Sequence, residues 1–264
     1  FACCGLLELA SRIDPYTVAH FENGQFVMSA DIRSILEQFF RCDVEVDTSV
    51  SSSPDEDEDD GEDESKIDEL NPHRGRTYPM TLGAPFHLRL DWWKEKAAQK
   101  QKLKTWTAGQ RVTDLLVGFH HGNNKKAKYT PPMRKLFEDV VKNYPDDWLR
   151  KTGPINNPSS FSYDSRLSRN NALDLGHVTI NTMAFSPAVD VLTLIGLQRF
   201  RPKMITVWVR NQYCTWSKPL PVQVAAVAAQ GVIPYLIGTC FEFPIKPRDA
   251  QGRYKLFGHA QSIR

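Results

Sequence analysis

The chain has 264 residues, 41% of them hydrophobic, with 33 Lys and Arg against 31 Asp and Glu for a formal charge of +2. That apolar content is enough for a continuous core without staples. The longest apolar stretch, Val222 to Leu236, is broken by Gln223, Gln230, Gly231 and Pro234, which excludes a span of the roughly 18 uncharged apolar residues a bilayer needs.

Five cysteines, Cys3, Cys4, Cys42, Cys214 and Cys240, are odd in number and lack both CxxC spacing and a secreted disulfide framework. The expectation is a reducing, cytoplasmic compartment with no structural zinc. Asp55 to Glu64 holds nine acids in ten positions, and setting them aside raises the formal charge from +2 to +11. The remaining body is basic and suited to a polyanion.

In chain order, Leu6, Leu7, Leu9, Ala10 and Ile13 lie at helical spacing and Asp14-Pro15 ends the helix. The helix is already under way at Phe1, so a longer natural polypeptide is expected. Asn23-Gly24 between two short apolar runs predicts a two-residue hairpin. Ser29 or Asp31 caps a second helix with Ile32, Ile35, Leu36, Phe39 and Phe40 on one face. The Ser-, Asp- and Glu-rich stretch at about 48–71 has too little apolar content to repay its own ordering, so a disordered acidic insertion is expected.

Thr81 to Leu90 reads as one strand ending at Asp91-Trp92-Trp93. Lys94, Lys96, Lys100, Lys102 and Lys104 then fall within eleven residues against a single acid, Glu95. A helix is predicted from about Ala108 to Phe119, ending in a polar turn at His120-His121-Gly122-Asn123-Asn124, with Lys125, Lys126, Lys128 and Tyr129 beyond it. Pro131-Pro132 opens another helix that stops near Tyr144-Pro145. Residues 153–160 form a Pro-, Asn- and Ser-rich loop, and two lobes could divide near 150–160. Phe161 to Asn171 is dense in hydrogen-bonding groups. Ser186-Pro187 starts an apolar helix through Phe200; Met204–Val209 and Gln212–Trp216 read as strands, Val222–Ala229 as a helix, and Ile233–Phe243 and Tyr254–His259 as closing strands. The fold class expected is α+β over residues 1–264 as a single domain, a largely antiparallel sheet packed with helices.

No carboxylate pair, nucleophile with its base or Walker-type loop has recognisable spacing. His120 and His121 are the best acid–base candidates; adjacent histidines at a helix end more often form a polar terminus. Asp164, Asp174 and Asp190 could hold a metal, but the Asn, Ser and Arg around the first two suit capping better, so no metal site is expected. Cys3-Cys4 on an apolar helix behaves as a pair of small hydrophobes. Backbone binding needs cations at phosphate spacing and gains from interleaved aromatics. Two regions meet that need: Lys94 to Lys104 with Lys125, Lys126, Lys128 and Tyr129, and the set Arg166, Arg169, Arg199, Arg201, Lys203 and Arg210. Asn123, Asn124 and Lys125 have side chains able to read base edges. The tryptophans Trp92, Trp93, Trp106 and Trp216 are taken first as core.

Three segments carry a resemblance: Phe1-Ala-Cys-Cys-Gly-Leu-Leu-Glu-Leu-Ala, Tyr163-Asp-Ser-Arg-Leu-Ser-Arg-Asn-Asn-Ala-Leu-Asp, and Pro187-Ala-Val-Asp-Val-Leu-Thr-Leu-Ile-Gly-Leu-Gln-Arg-Phe-Arg-Pro202. Together they resemble proteins of CRISPR type I-U (I-G) systems, compact large-subunit-like components of the Cascade effector complex. The resemblance implies a non-catalytic, nucleic-acid-binding subunit whose partners are guide RNA, target DNA, the other effector-complex subunits and a helicase-nuclease, with no cofactor and no membrane. Such a subunit would contact the motif flanking the target in duplex DNA and help open the strands, while base pairing to the guide supplies most sequence specificity. Two other roles stay open: a guide-RNA-processing endoribonuclease with His120 or His121 as general base, and an architectural RNA-binding subunit.

Overall fold

The computed structural model describes residues 1–49, 78–101, 103–105, 111–121, 128–151, 153–154, 163, 184–206, 210–247 and 255–263. The expected acidic insertion lies outside the described residues from position 50 onward, as do residues 152 and 155–160 of the proposed lobe division at 150–160 and the polar segment 161–171 apart from Tyr163.

Helix α1 (Ala2–Ile13) is the centre of the molecule. Its middle is buried on every side from Cys4 to Ala10, because Leu6, Leu9 and Ala10 enter one apolar cluster while Cys4 and Leu7 enter a second. The hairpin β1 (Val18–Glu22) and β2 (Gln25–Met28) forms as the Asn-Gly pattern requires, with φ of 49° at Asn23 and 76° at Gly24. Both turn residues thus take the left-handed conformation of a primed two-residue turn. In helix α2 (Ile32–Arg41) the cap is Asp31, whose carboxylate accepts from the Arg33 amide at 3.0 Å.

A three-stranded sheet follows, β3 (Val44–Val46), β4 (Met80–Leu82) and β5 (Leu88–Leu90), all antiparallel. The single strand expected over 81–90 is therefore two strands turned back on each other around Gly83 to His87, with a cis Ala84–Pro85 peptide. Met80, Leu82, Leu88 and Leu90 still alternate inward, so the period-2 signal was real and the turn inside it went unread. After Leu90 come a 3-10 turn (Trp92–Lys94) and the short helix α3 (Lys96–Lys100).

Residues 106–110 lie outside the described residues; from 111 onward the helix expected over 108–119 is corrected to a 3-10 turn at Val112–Leu115 followed by strand β6 (Phe119–His121), which pairs with β7 (Lys128–Thr130). A β-carbon at Gly118 would overlap the Tyr129 side chain of the returning strand. Helix α4 (Met133–Asn143) begins after Pro131-Pro132 and ends at Tyr144, as read. β8 (Gly153–Pro154) pairs with β9 (Ala184–Phe185).

Helix α5 (Pro187–Gly196) is capped by the Ser186 hydroxyl, which accepts from the Val189 amide at 3.3 Å, and is buried almost all round. It crosses α1 at two glycines. A β-carbon on Gly5 would overlap the Leu192 carbonyl, and one on Gly196 the Phe1 carbonyl. The remaining strands are β10 (Lys203–Thr206), β11 (Arg210–Trp216), β12 (Leu220–Pro221), β13 (Ile237–Pro247), β14 (Lys255–Phe257) and β15 (Gln261–Ile263), with helix α6 (Val222–Ala229) between β12 and β13. They run antiparallel in the order β10-β11-β13-β14, with β15 also on β13, while β12 joins the first hairpin beside β1. The fold is mixed α+β, and every pairing among the described strands is antiparallel.

Register also corrects the reading of the cysteines. Cys214 on β11 faces Cys240 on β13, and the two are joined in a disulfide that spans 26 residues of chain. This removes the ground for inferring a reducing compartment from cysteine number. Cys3, Cys4 and Cys42 are free, and burial pushes the Cys4 thiol up to about 11, the behaviour of a small hydrophobe. No helix among the described residues is long and apolar enough to cross a membrane.

Candidate nucleic-acid interface

The lysine run begins where the sheet β3-β4-β5 ends, and its local structure turns the charges outward. In α3, Ala98 and the following Gln101 point inward, 1% and 8% exposed, while Lys96 and Lys100 are exposed. This is the one-sided burial that a short amphipathic helix produces. Lys94, at the end of the 3-10 turn, and Lys104 are half-buried. Beneath them, Trp92 and Trp93 are core residues; the Trp92 indole donates to the Leu194 carbonyl at 3.0 Å.

The second basic region is carried to this place by three contacts. Gln101 Nε2 donates to the Pro202 carbonyl at 2.6 Å. The Arg201 guanidinium pairs with Glu95 at 2.9 Å and lies over the Trp92 ring, 5.6 Å from its centroid. Gln198 accepts from the Asp91 and Trp92 amides at 3.0 and 3.2 Å and donates to the Asp91 carboxylate at 3.1 Å. Residues about a hundred positions apart are thereby locked together, and Lys203, exposed and next after Pro202, lies beside the end of α3.

The described arginines of that region, Arg199, Arg201 and Arg210, are already engaged. Arg199 joins Arg12 in pairing with Glu8, which is fully buried in α1. Arg201 is mostly buried, and desolvation lowers its pKa against the opposing pull of Glu95. Arg210 on β11 pairs with Glu242 across the sheet. Among the described residues the exposed cations of the two segments are thus lysines, Lys96, Lys100 and Lys203. Edge strand β10 is exposed at all four residues, Met204 and Ile205 included.

Lys102, Asn123, Asn124, Lys125, Lys126, Arg166, Arg169 and Trp106 lie outside the described residues, as do Asp164 and Asp174. Lys128 stands on β7 opposite His121, and His120 opposite the half-exposed Tyr129, so the two histidines lie on a hairpin strand rather than at a helix end. Asp190 is buried in the first turn of α5, where its carboxylate accepts from the Tyr163 amide at 3.2 Å. Among the described residues no group of three or more His, Cys, Asp or Glu is placed to hold a metal ion. A cavity of about 250 Å³ opens beside Phe1, Tyr163, Tyr213, Phe243 and Phe257; its lining side chains carry no carboxylate or cation, and burial pushes the Tyr213 hydroxyl up to about 12.

Sequence reasoning found the lysines but missed Gln101, Glu95 and Gln198, the residues that join the two regions. The polarity of Gln101, three positions past Ala98, was a weak signal of an inward-facing amide. Nothing in one sequence named Pro202 as its acceptor. Comparison of the chain with protein-family models, curated proteins and solved structures finds no match.

Proposed function

We propose that the chain is a non-cutting, nucleic-acid-binding subunit of a type I CRISPR effector complex, which contacts target duplex DNA beside the guide RNA, helps open the strands and docks a helicase-nuclease. The observation that supports this reading is that the Gln101–Pro202 and Arg201–Glu95 contacts bring the segment carrying Lys94, Lys96 and Lys100 to the segment carrying Lys203. Phosphate binding draws on such cations, because each neutralised phosphate releases counterions to solvent. These segments set lysines over buried tryptophans, so their contacts are to the sugar-phosphate backbone, with sequence left to base pairing. The CRISPR assignment itself comes from the resemblance of the three sequence segments.

The test is electrophoretic binding of the purified assembly, with and without this chain, to duplexes that carry or lack candidate flanking motifs, with guide-precursor cleavage scored in parallel. The reading requires duplex binding to be lost without the chain while precursor cleavage persists. Loss of cleavage that depends on His120 or His121 would establish the endoribonuclease instead.

A further inference from the structure

Strands β11, β13 and β14 turn one aromatic face to the cavity that α1 and α5 also line. Asn211 and Tyr213 lie two residues apart on β11, Asn211 pairs with Phe243 on β13, and Ile245, two residues further on, pairs with Phe257 on β14. Successive side chains of a strand alternate between faces, so Tyr213, Phe243 and Phe257 stand on the same one. Phe1, at the start of α1, packs on all three, with ring centroids 5.3, 5.9 and 6.1 Å away. Tyr163 adds a fifth ring, 5.1 Å from Phe257. Val189 and Thr193, one turn apart on α5, line the cavity as well. Val189 is the residue of that helix left incompletely buried, as its place on the wall requires.

We propose that this cavity is a binding site for a neutral, flat aromatic molecule of one or two fused rings. Its volume sets the size of the guest. A dry apolar cavity of about 150 Å³ admits benzene, and drug-sized ligands need about 300 Å³ or more; the cavity, at about 250 Å³, falls between. Ring geometry sets the shape. The Phe1 ring is inclined 69° and 70° to those of Phe243 and Phe257, and the Tyr163 ring 71° to that of Phe257. The wall therefore offers ring faces in some directions and ring edges in others, the two contacts a flat aromatic guest makes best. The lining sets the charge. Among the described residues it has no acidic or basic side chain, and an ion drawn from water into such a site would be left unpaired. Tyr213 and Thr193 are among its polar members, and burial, which pushes the Tyr213 hydroxyl up to about 12, keeps that group neutral. The site is separate from the lysine segments: Lys203 pairs with Gln212, whose side chain lies on the other face of the sheet from Tyr213. The inference therefore stands whether or not the chain binds nucleic acid.

The probe is 5-fluoroindole, titrated into the full chain and followed by fluorine NMR. One saturable site is expected. Two variants obstruct it from different sides. Ala260 is an exposed residue of the lining, so Ala260→Trp blocks the cavity without entering the core, and Val189→Phe fills it from α5. Each should weaken binding by about tenfold or more, equivalent to about 1.4 kcal/mol, with the circular dichroism of the parent chain retained; should Val189→Phe fail to fold, Ala260→Trp decides alone. Tetramethylammonium, the kind of cation that aromatic cages take, should leave the bound fluorine signal in place. The inference is overturned by a parent chain with no saturable binding, by unchanged affinity in Ala260→Trp, or by displacement of the probe by tetramethylammonium.

Discussion

Gln101 and Pro202 are bound to each other: the Gln101 amide donates 2.6 Å to the Pro202 carbonyl, from a side chain only 8% exposed. The bond fastens the end of α3 to the start of β10 and so sets Lys100 beside Lys203. Gln101→Leu would keep the volume and leave the carbonyl unpaired in a buried site, at a cost of about 1–3 kcal/mol. A denaturant titration reads that cost as a lower midpoint at unchanged slope.

The crossing of α1 and α5 has no room for a methyl group at Gly5, where the overlapping atom is the backbone carbonyl of Leu192. Gly5→Ala forces two buried helices apart, and overpacking of this kind costs about 1–3 kcal/mol. The expected result is a fall in thermal midpoint even though alanine is the better helix former by about 1 kcal/mol. A rise in midpoint would mean that the two helices are not in contact at that point.

How far the fold could be read in advance follows from which signals are local. The hairpin at Asn23-Gly24, the cap at Asp31 (one of the two residues the sequence offered), the helix after Pro132 and the one after Ser186 each depend on residues within a few positions, and all four begin where the sequence placed them, though the last ends at Gly196 and not Phe200. The turn within residues 81–90 was hidden because Met80, Leu82, Leu88 and Leu90 keep one alternating phase across it. Cys214 and Cys240 were hidden for a different reason: their pairing is a matter of register between two strands 26 residues apart. Of the interface, Lys94, Lys96, Lys100, Lys104 and Lys203 were legible as charge, whereas their assembly depends on Gln101, Glu95 and Gln198 meeting partners about a hundred residues away, which no local pattern encodes.

Glu8 is 0% exposed within α1 and carries two arginines, Arg12 one turn on at 2.9 Å and Arg199. Removing both arginines would strand the buried Glu8 carboxylate, so Arg12→Ala combined with Arg199→Ala should cost about 3–5 kcal/mol. Arg12→Ala alone leaves Glu8 paired with Arg199 and should cost distinctly less. Urea titration of the two variants beside the parent chain checks the order.

Asp114 brings a pH dependence. Burial raises its pKa from 3.8 to about 6, opposed by the Arg111 guanidinium 3.3 Å away. Between those two values the folded chain keeps a proton that the unfolded chain has released. Stability from this group therefore grows as pH falls through about 6 toward 3.8 and is withdrawn as pH rises. Asp114→Asn should flatten that part of the stability–pH curve. A slope identical in parent and variant would show that the carboxyl ionises as freely in the fold as out of it.

The disulfide is open to a direct count. Of five cysteines, only Cys3, Cys4 and Cys42 should react with a thiol reagent in unfolded, unreduced protein. Reduction should lower stability by about 3 kcal/mol, the loop-closure value for a crosslink of this span. Five reactive thiols would remove the crosslink between β11 and β13.

The most direct test of the joined lysine segments is the salt dependence of duplex binding by the assembled complex, comparing the parent chain with Lys96→Ala, Lys100→Ala and Lys203→Ala combined. Each phosphate contact contributes about 0.9 to the slope of log affinity against log salt, so loss of three contacts should flatten the slope by roughly 2 to 3 and weaken binding alike on every sequence. An unchanged slope, with the variant folded and the complex intact, would contradict a phosphate-binding role for these segments.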